Sequence, residues 1–199
     1  MTADVFRVLH VCTGNICRSP MAEHLTRSML EQGWPEHAHR FVVESAGTWG
    51  HSGSPMEPHA ATTLAKRGID GSAFRARELV AEHVAGADLV LAASREHRAA
   101  AVVLHPRAAA RTFTVKELAR LLGGVDPATL PAGDPVERAR ALVRTAASRR
   151  GLVPPARPSD DDLADPYHAP EQAFAVCADE LTAALRGPMG LLLAPTMTP

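Results

Sequence analysis

The first twenty residues constrain this chain more than any other part of it. Val5, Phe6, Val8, Leu9 and Val11 form an almost continuous apolar run that stops at Thr13-Gly14-Asn15, and Ser19-Pro20 follows directly. A run of this kind is expected of a strand buried on both faces of a parallel sheet. Ser followed by Pro supplies an N-cap and a first helical residue. A strand, a tight loop and a helix therefore open the fold, with the helix over 20–32 carrying Ala22, Leu25 and Met29 on one face and stopping at Gly33.

The same alternation continues. Residues 40–46 read as a second strand, 58–67 as a helix closed by Gly68, and 87–93 as a third strand. Ser94 caps a helix that runs to His105, ahead of Pro106. Residues 111–115 read as a fourth strand, and Thr114 with Glu117 has the spacing of a capping box for a helix over 115–122. This pattern predicts an α/β fold of three layers, with a central parallel four-stranded sheet flanked by helices. Between 123 and 162 it loosens into Gly, Pro and Asp around one helix that starts at Asp134-Pro135 and ends at Gly151, and the stretch reads as an insertion. A last helix over 170–186 places Phe174, Cys177, Leu181 and Leu185 on one face. One domain is expected over 1–186, followed by a loose tail over 187–199 in which Leu191-Leu192-Leu193 is the part able to dock.

Composition excludes several function classes. Lys and Arg number 21 against 22 Asp and Glu, a formal net charge of -1, so no overall basic excess exists to hold a nucleic-acid backbone or an anionic membrane. No stretch approaches the roughly 20 apolar residues of a membrane span. The three cysteines, Cys12, Cys17 and Cys177, are an odd set without disulfide-framework or zinc-site spacing, which suits free thiols in a reducing, cytoplasmic setting. No metal site and no cofactor are expected.

The chemistry is concentrated in Cys12-Thr13-Gly14-Asn15-Ile16-Cys17-Arg18-Ser19. Cys and Arg separated by five residues are weak evidence in a chain this rich in Arg; the position between strand and helix discriminates. A five-residue loop at the positive end of a helix aims the amides from Thr13 to Cys17 at one point, and Gly14 and Asn15 tolerate the positive φ that such a nest requires. Arg18 adds a planar fork suited to two oxygens of a tetrahedral dianion, most plainly phosphate. The same field favours a thiolate at Cys12, which becomes a nucleophile. Ser19 has two compatible roles, as helix N-cap and as hydroxyl donor to the sulfur. A thiolate attacking a phosphate ester needs an acid for the leaving oxygen. Asp165, in the rigid turn Asp165-Pro166-Tyr167, is the candidate, with Tyr167 as a pocket wall.

These residues resemble the low-molecular-weight protein tyrosine phosphatases, whose signature is Cys-x5-Arg-Ser near the N-terminus with Asp-Pro near the C-terminus. Residues 12–23 are similar to the family's phosphate loop and first helix, Ser45-Ala46-Gly47-Thr48 to the end of its second strand, 87–97 to its third strand and following helix, and 165–167 to its acid loop. The resemblance spans roughly 5–105 and 163–186. It implies Cys12 as nucleophile, Arg18 as phosphate clamp, Asp165 as general acid, and Trp49 with Tyr167 flanking a substrate ring. The implied substrates are phosphotyrosine-containing proteins, with inorganic phosphate as product and competing ligand. Two departures stand out: the long stretch before Asp165, and Phe74, where the family often has a His that supports the loop Asn, so that the support of Asn15 must differ.

Other readings remain beside this one. The fold also suits an arsenate reductase, which here would depend on an external thiol because no Cys lies between Cys17 and Cys177. It equally suits a phosphate- or phosphotyrosine-binding module without turnover. Cys17 is either a redox partner of Cys12 or a small buried loop residue, and Cys177 is a core residue. Trp49 is either a buried anchor or a ring-stacking wall. Asp160-Asp161-Asp162 is expected to be a solvated loop.

Overall fold

The computed structural model describes residues 4–49 and 51–194. Four strands, β1 (Phe6–Cys12), β2 (Phe41–Gly47), β3 (Leu89–Ala92) and β4 (Thr112–Thr114), form one parallel sheet in the order β2-β1-β3-β4. The expected three-layer arrangement is present because the strands alternate two apolar sets. Phe6, Val8, Val43, Leu89 and Leu91 join the larger core, whereas Leu9, Val11, Ala46 and Val90 join a smaller one. The larger core is completed by α1 (Arg18–Gly33), α2 (Pro58–Ala65), α5 (Val115–Leu122), α6 (Pro135–Ser148) and α7 (Glu171–Leu193). The smaller lies under α3 (Ala81–Gly86), which was not anticipated, and α4 (Arg95–Leu104). Among the described residues no helix is long and apolar enough to cross a membrane.

Several helix ends follow their local chemistry. The Thr114 hydroxyl accepts from the Glu117 amide at 3.0 Å while Glu117 Oε2 accepts from the Thr114 amide at 3.2 Å, which closes the predicted capping box. Asp134 Oδ1 accepts from the amides of Val136 and Glu137, and Pro135 occupies the first position of α6. Within the stretch 123–162, α6 buries Val136, Ala139, Leu142 and Ala146 in the main core.

Two expectations are corrected. Helix α1 begins at Arg18, two residues early, with Cys17 in the N-cap position and no side-chain cap; Ser19 is therefore not the N-cap. Pro20 is tolerated because the first-turn amides of a helix need no intrahelical acceptor. The loose tail over 187–199 is replaced, as far as the chain is described, by helix: α7 continues through Pro188 to Leu193, and residues 195–199 lie outside the described residues. An internal Pro costs about 3 kcal/mol. Burial of Met189, Leu191 and Leu192, each contributing on the order of 1.5–3 kcal/mol, offsets it. Arg138 Nε also donates to the Leu191 carbonyl at 2.8 Å, and Gly33 admits Leu193, whose Cδ1 would stand 2.4 Å from a Cβ there.

Candidate active site

Strand β1 delivers Cys12 to the end of the sheet, and the loop that follows is fixed from outside by its own carbonyls. Those of Cys12, Thr13 and Ile16 accept from the amides of Thr48, Trp49 and Glu57 at 2.9–3.0 Å. With the carbonyls turned outward, the amides of Gly14 to Arg18 find no protein acceptor among the described residues, the arrangement of an anion nest. Gly47 makes the close packing possible: a Cβ there would stand 2.5 Å from the Thr13 carbonyl oxygen and 2.9 Å from the Asn15 nitrogen.

Asn15 takes the left-handed conformation, φ 54°. Gly14 does not, contrary to expectation. It is required instead by close approach, because a Cβ would stand 2.6 Å from Cδ2 of His51. Asn15 is fully buried and held on three sides: its Nδ2 donates to Ser19 Oγ at 2.9 Å and to Ser45 Oγ at 2.8 Å, and its Oδ1 accepts from the Arg77 amide at 2.9 Å. These partners supply the support left open by Phe74, which packs edge-on against His24.

The Asn15 amide orders this network. Ser45 accepts from Asn15 and so donates to Glu23 Oε2 at 2.6 Å. Ser19 likewise accepts from Asn15, which leaves its own proton for Cys12 Sγ, 2.9 Å away. Ser19 thus serves the sulfur rather than the helix end. Burial pushes the Cys17 thiol up, with the neighbouring Cys12 adding to it, and burial pushes Cys177 up to about 12. All three are unbonded.

Arg18 is 5% exposed. Its Nη2 donates to Asp165 Oδ2 at 2.5 Å and to Thr13 Oγ1 at 3.3 Å, and its Nη1 to the Leu163 carbonyl at 3.4 Å. Its Nε is buried without a partner among the described residues, a donor suited to an oxyanion. Asp165 is half-exposed, with Oδ1 accepting from the Tyr167 amide at 3.2 Å. Cys12, Arg18, Asp165, Ile16, Trp49 and Tyr167 line one cleft of about 430 Å³. Trp49 is 68% exposed, so it is a wall and not a buried anchor. An apolar cavity of about 550 Å³ also lies between the sheet and α1, α5, α6 and α7; the one polar side chain lining it is Thr26, whose hydroxyl already donates to the Ala22 carbonyl.

The sequence reading missed two histidines. His51 stands edge-on between Trp49 and Tyr167, at 5.9 and 6.4 Å between ring centroids, and completes the wall. His97 contacts Thr13 Oγ1 at 2.8 Å through Nε2 and Ser94 Oγ at 2.6 Å through Nδ1. Burial and, secondly, the Arg18 charge lower its pKa to about 4, so it is neutral at pH 7. Isolated His residues in a chain with ten carry no spacing signal. The solvated reading of Asp160-Asp161-Asp162 is corrected too: Asp161 is 7% exposed and takes Arg120 Nε and Nη2 at 3.0 and 2.6 Å, and Asp162 is gripped by Arg95. Among the described residues no cluster of three or more His, Cys, Asp or Glu side chains is placed to hold a metal ion.

Comparison with known proteins agrees with this geometry. Residues 7–148 match the family described as low molecular weight phosphotyrosine protein phosphatase. A protein-arginine-phosphatase of Geobacillus stearothermophilus is 38% identical over 137 residues, 68% of this chain and 85% of that protein. A low molecular weight protein-tyrosine-phosphatase of Streptomyces coelicolor is 32% identical over 183 residues, 92% of this chain and 90% of that one. The solved structure of a low molecular weight protein tyrosine phosphatase from T. tengcongensis is similar with a TM-score of 0.65 and 30% identity, over 92% of this chain and 97% of the other. With a match that covers most of the chain, and a loop built as described, the protein belongs to the low molecular weight phosphotyrosine protein phosphatase family.

Proposed function

We propose that the protein hydrolyses aryl phosphate monoesters, phosphotyrosine in proteins above all, through a phosphocysteine intermediate. The observation that carries the reading is the convergence of Cys12 Sγ, served by the Ser19 proton, with Arg18 and Asp165 in a single cleft. The nest amides and Arg18 hold the equatorial oxygens. The Cys12 thiolate forms a bond to phosphorus as the bond to the phenolic oxygen breaks, and Asp165 gives that oxygen a proton. In the second step Asp165 takes a proton from water, whose oxygen attacks phosphorus and releases the thiolate and inorganic phosphate. The Ser19 hydroxyl stabilises the departing sulfur. Each of these roles is filled by a side chain of this protein, so the reading calls on no cofactor. Inorganic phosphate should compete with substrate.

The substrate ring would lie between Trp49, His51 and Tyr167, and Ile16 adds an apolar side chain to the cleft. The Geobacillus relative raises N-phosphoarginine as a second substrate class. Its guanidinium leaving group would be best matched by a carboxylate of its own. Among the described residues Asp165 is the only carboxylate lining the cleft, and it already faces Arg18. The walls therefore favour an aryl ring. An arsenate reductase cycle within the protein is disfavoured because Cys17 and Cys177 are both held in the thiol form by burial. Three unbonded thiols suit a reducing compartment, and we place the protein in the cytoplasm on that ground.

The test is Cys12→Ser. Turnover of p-nitrophenyl phosphate should fall by at least about 10⁴-fold while phosphate still binds. Retained turnover would falsify the mechanism, and binding without turnover in the wild type would favour the non-catalytic module. Relative kcat/KM on phosphotyrosine and phosphoarginine peptides separates the two substrate classes.

A further inference from the structure

The first turn of α4 is close to both loops of the active site, and nothing in the two-step mechanism uses it. On one side Arg95 grips Asp162: its amide donates to Oδ1 at 2.8 Å, and its Nε and Nη2 donate to Oδ2 at 3.1 and 2.9 Å. Asp162 stands three residues before Asp165. Leu163, between them, donates its amide to the Ala93 carbonyl at 2.8 Å and offers its own carbonyl to Arg18. Two residues of chain span at most about 7 Å, so anchoring 162 and 163 keeps the Asp165 carboxyl within reach of the cleft.

On the other side of the same turn, His97 meets Thr13 in the phosphate loop. Thr13 Oγ1 accepts from Arg18 Nη2 at 3.3 Å and meets His97 Nε2 at 2.8 Å. The other ring nitrogen, Nδ1, meets the hydroxyl of Ser94, the residue that caps α4, at 2.6 Å. Held at both nitrogens, the ring keeps the Thr13 hydroxyl where it accepts from Arg18.

We propose that the first turn of α4 is a bracket that sets the acid against the nucleophile: Arg95 positions Asp165 through Asp162, and His97 positions Arg18 through Thr13. The inference rests on the phosphomonoesterase reading. Ion-pair stability is not a sufficient reason for the Arg95 contact, because the Arg95 side chain is 49% exposed and such pairs contribute little to folding. The three hydrogen bonds to one carboxylate supply geometry instead.

The two arms predict different kinetics. The leaving group departs in the first step, so kcat/KM reports the acid. Arg95→Gln and, independently, Asp162→Asn should lower kcat/KM about tenfold on phenyl phosphate, which needs a proton for its leaving oxygen. On p-nitrophenyl phosphate, which needs little help, the loss should stay within about twofold. Inhibition by inorganic phosphate should not change. In an Asp165→Asn background the same substitutions should add no further loss, because the group they position is gone. His97→Ala should instead raise the inhibition constant for phosphate about fivefold and leave the ratio between the two esters unaltered.

Equal losses on both esters from both Arg95→Gln and Asp162→Asn, no loss at all, or an undiminished loss in the Asp165→Asn background, would overturn the Arg95 arm. An unchanged phosphate inhibition constant in His97→Ala would overturn the other. Wild-type turnover that survives Cys12→Ser and Asp165→Asn alike would instead remove the phosphatase reading on which the bracket rests.

Discussion

The phosphate loop and the acid loop face the same cleft but are built on different principles. The first is buried and fixed by backbone and neutral hydrogen bonds: a left-handed Asn15 held by Ser19, Ser45 and the Arg77 amide, and loop carbonyls that accept from Thr48, Trp49 and Glu57. The second is held by arginines far away in sequence, Arg95 on Asp162, Arg120 on Asp161 and Arg18 on Asp165, separated by 67, 41 and 147 residues. On the proposed roles, the nucleophile is preorganised by backbone and neutral hydrogen bonds, and the acid by charge pairing. A dianion seat must be rigid to keep its amides aimed, whereas an acid that meets leaving groups of different shape can be anchored a few residues from its carboxyl.

The contrast can be broken most severely at Arg18, which belongs to both regions. Arg18→Lys should lower kcat/KM by about 10³-fold and weaken phosphate binding as well, since a point charge cannot replace the fork; a steady-state series with phosphate as inhibitor reads both. Asn15→Ala removes three buried hydrogen bonds and places Ala in a left-handed position, so a loss of about 100-fold in activity and about 3 kcal/mol in stability is expected from kinetics and denaturant melts together. The acid side is expected to be gentler. Asp161→Asn leaves the partly buried Arg120 with half its partner, at about 1–3 kcal/mol in stability and with kcat/KM reduced mainly on poor leaving groups.

The last effect concerns stability in acid alone and leaves activity at neutral pH unchanged. His97 has its folded pKa lowered to about 4 from 6.5, so the unfolded chain binds more protons between those values. Its contribution is fully felt above 6.5 and is lost as pH falls toward 4, by up to about 3 kcal/mol. His10, fully buried and lowered to about 3, adds to the same slope. Chemical denaturation at pH 7 and pH 4.5 should show a shallower loss for His97→Asn than for the wild type.

What the sequence made legible is what neighbours a few residues apart decide. The β1–loop–α1 unit, the Thr114 box and the Asp134-Pro135 cap depend on neighbours within a few residues, and all could be read from spacing. The functional direction of Ser19 could not, because its choice between helix end and sulfur depends on Asn15 and Ser45, which meet across 30 residues. The arginine partners of Asp161 and Asp162 had no local signature, so an acidic run read as solvated. His51 and His97 are single residues that acquire meaning only from the loops packed on them. The continuation of α7 past Pro188 was hidden for a related reason: an internal proline is a local stop signal, and only burial against α1 and α6 overrides it.

The contact between Arg18 and Asp165 carries one more implication for ligand choice. The guanidinium is shared between a resident carboxylate and whatever anion arrives, so entry is an exchange of one negative partner for another. On the proposed mechanism, a phosphoryl group that claims the cation would free the carboxyl to take up a proton and turn toward the bridging oxygen. A weakly charged mimic that leaves the resident pair intact should gain no such opening and bind more weakly, which dissociation constants across a series of anions would show.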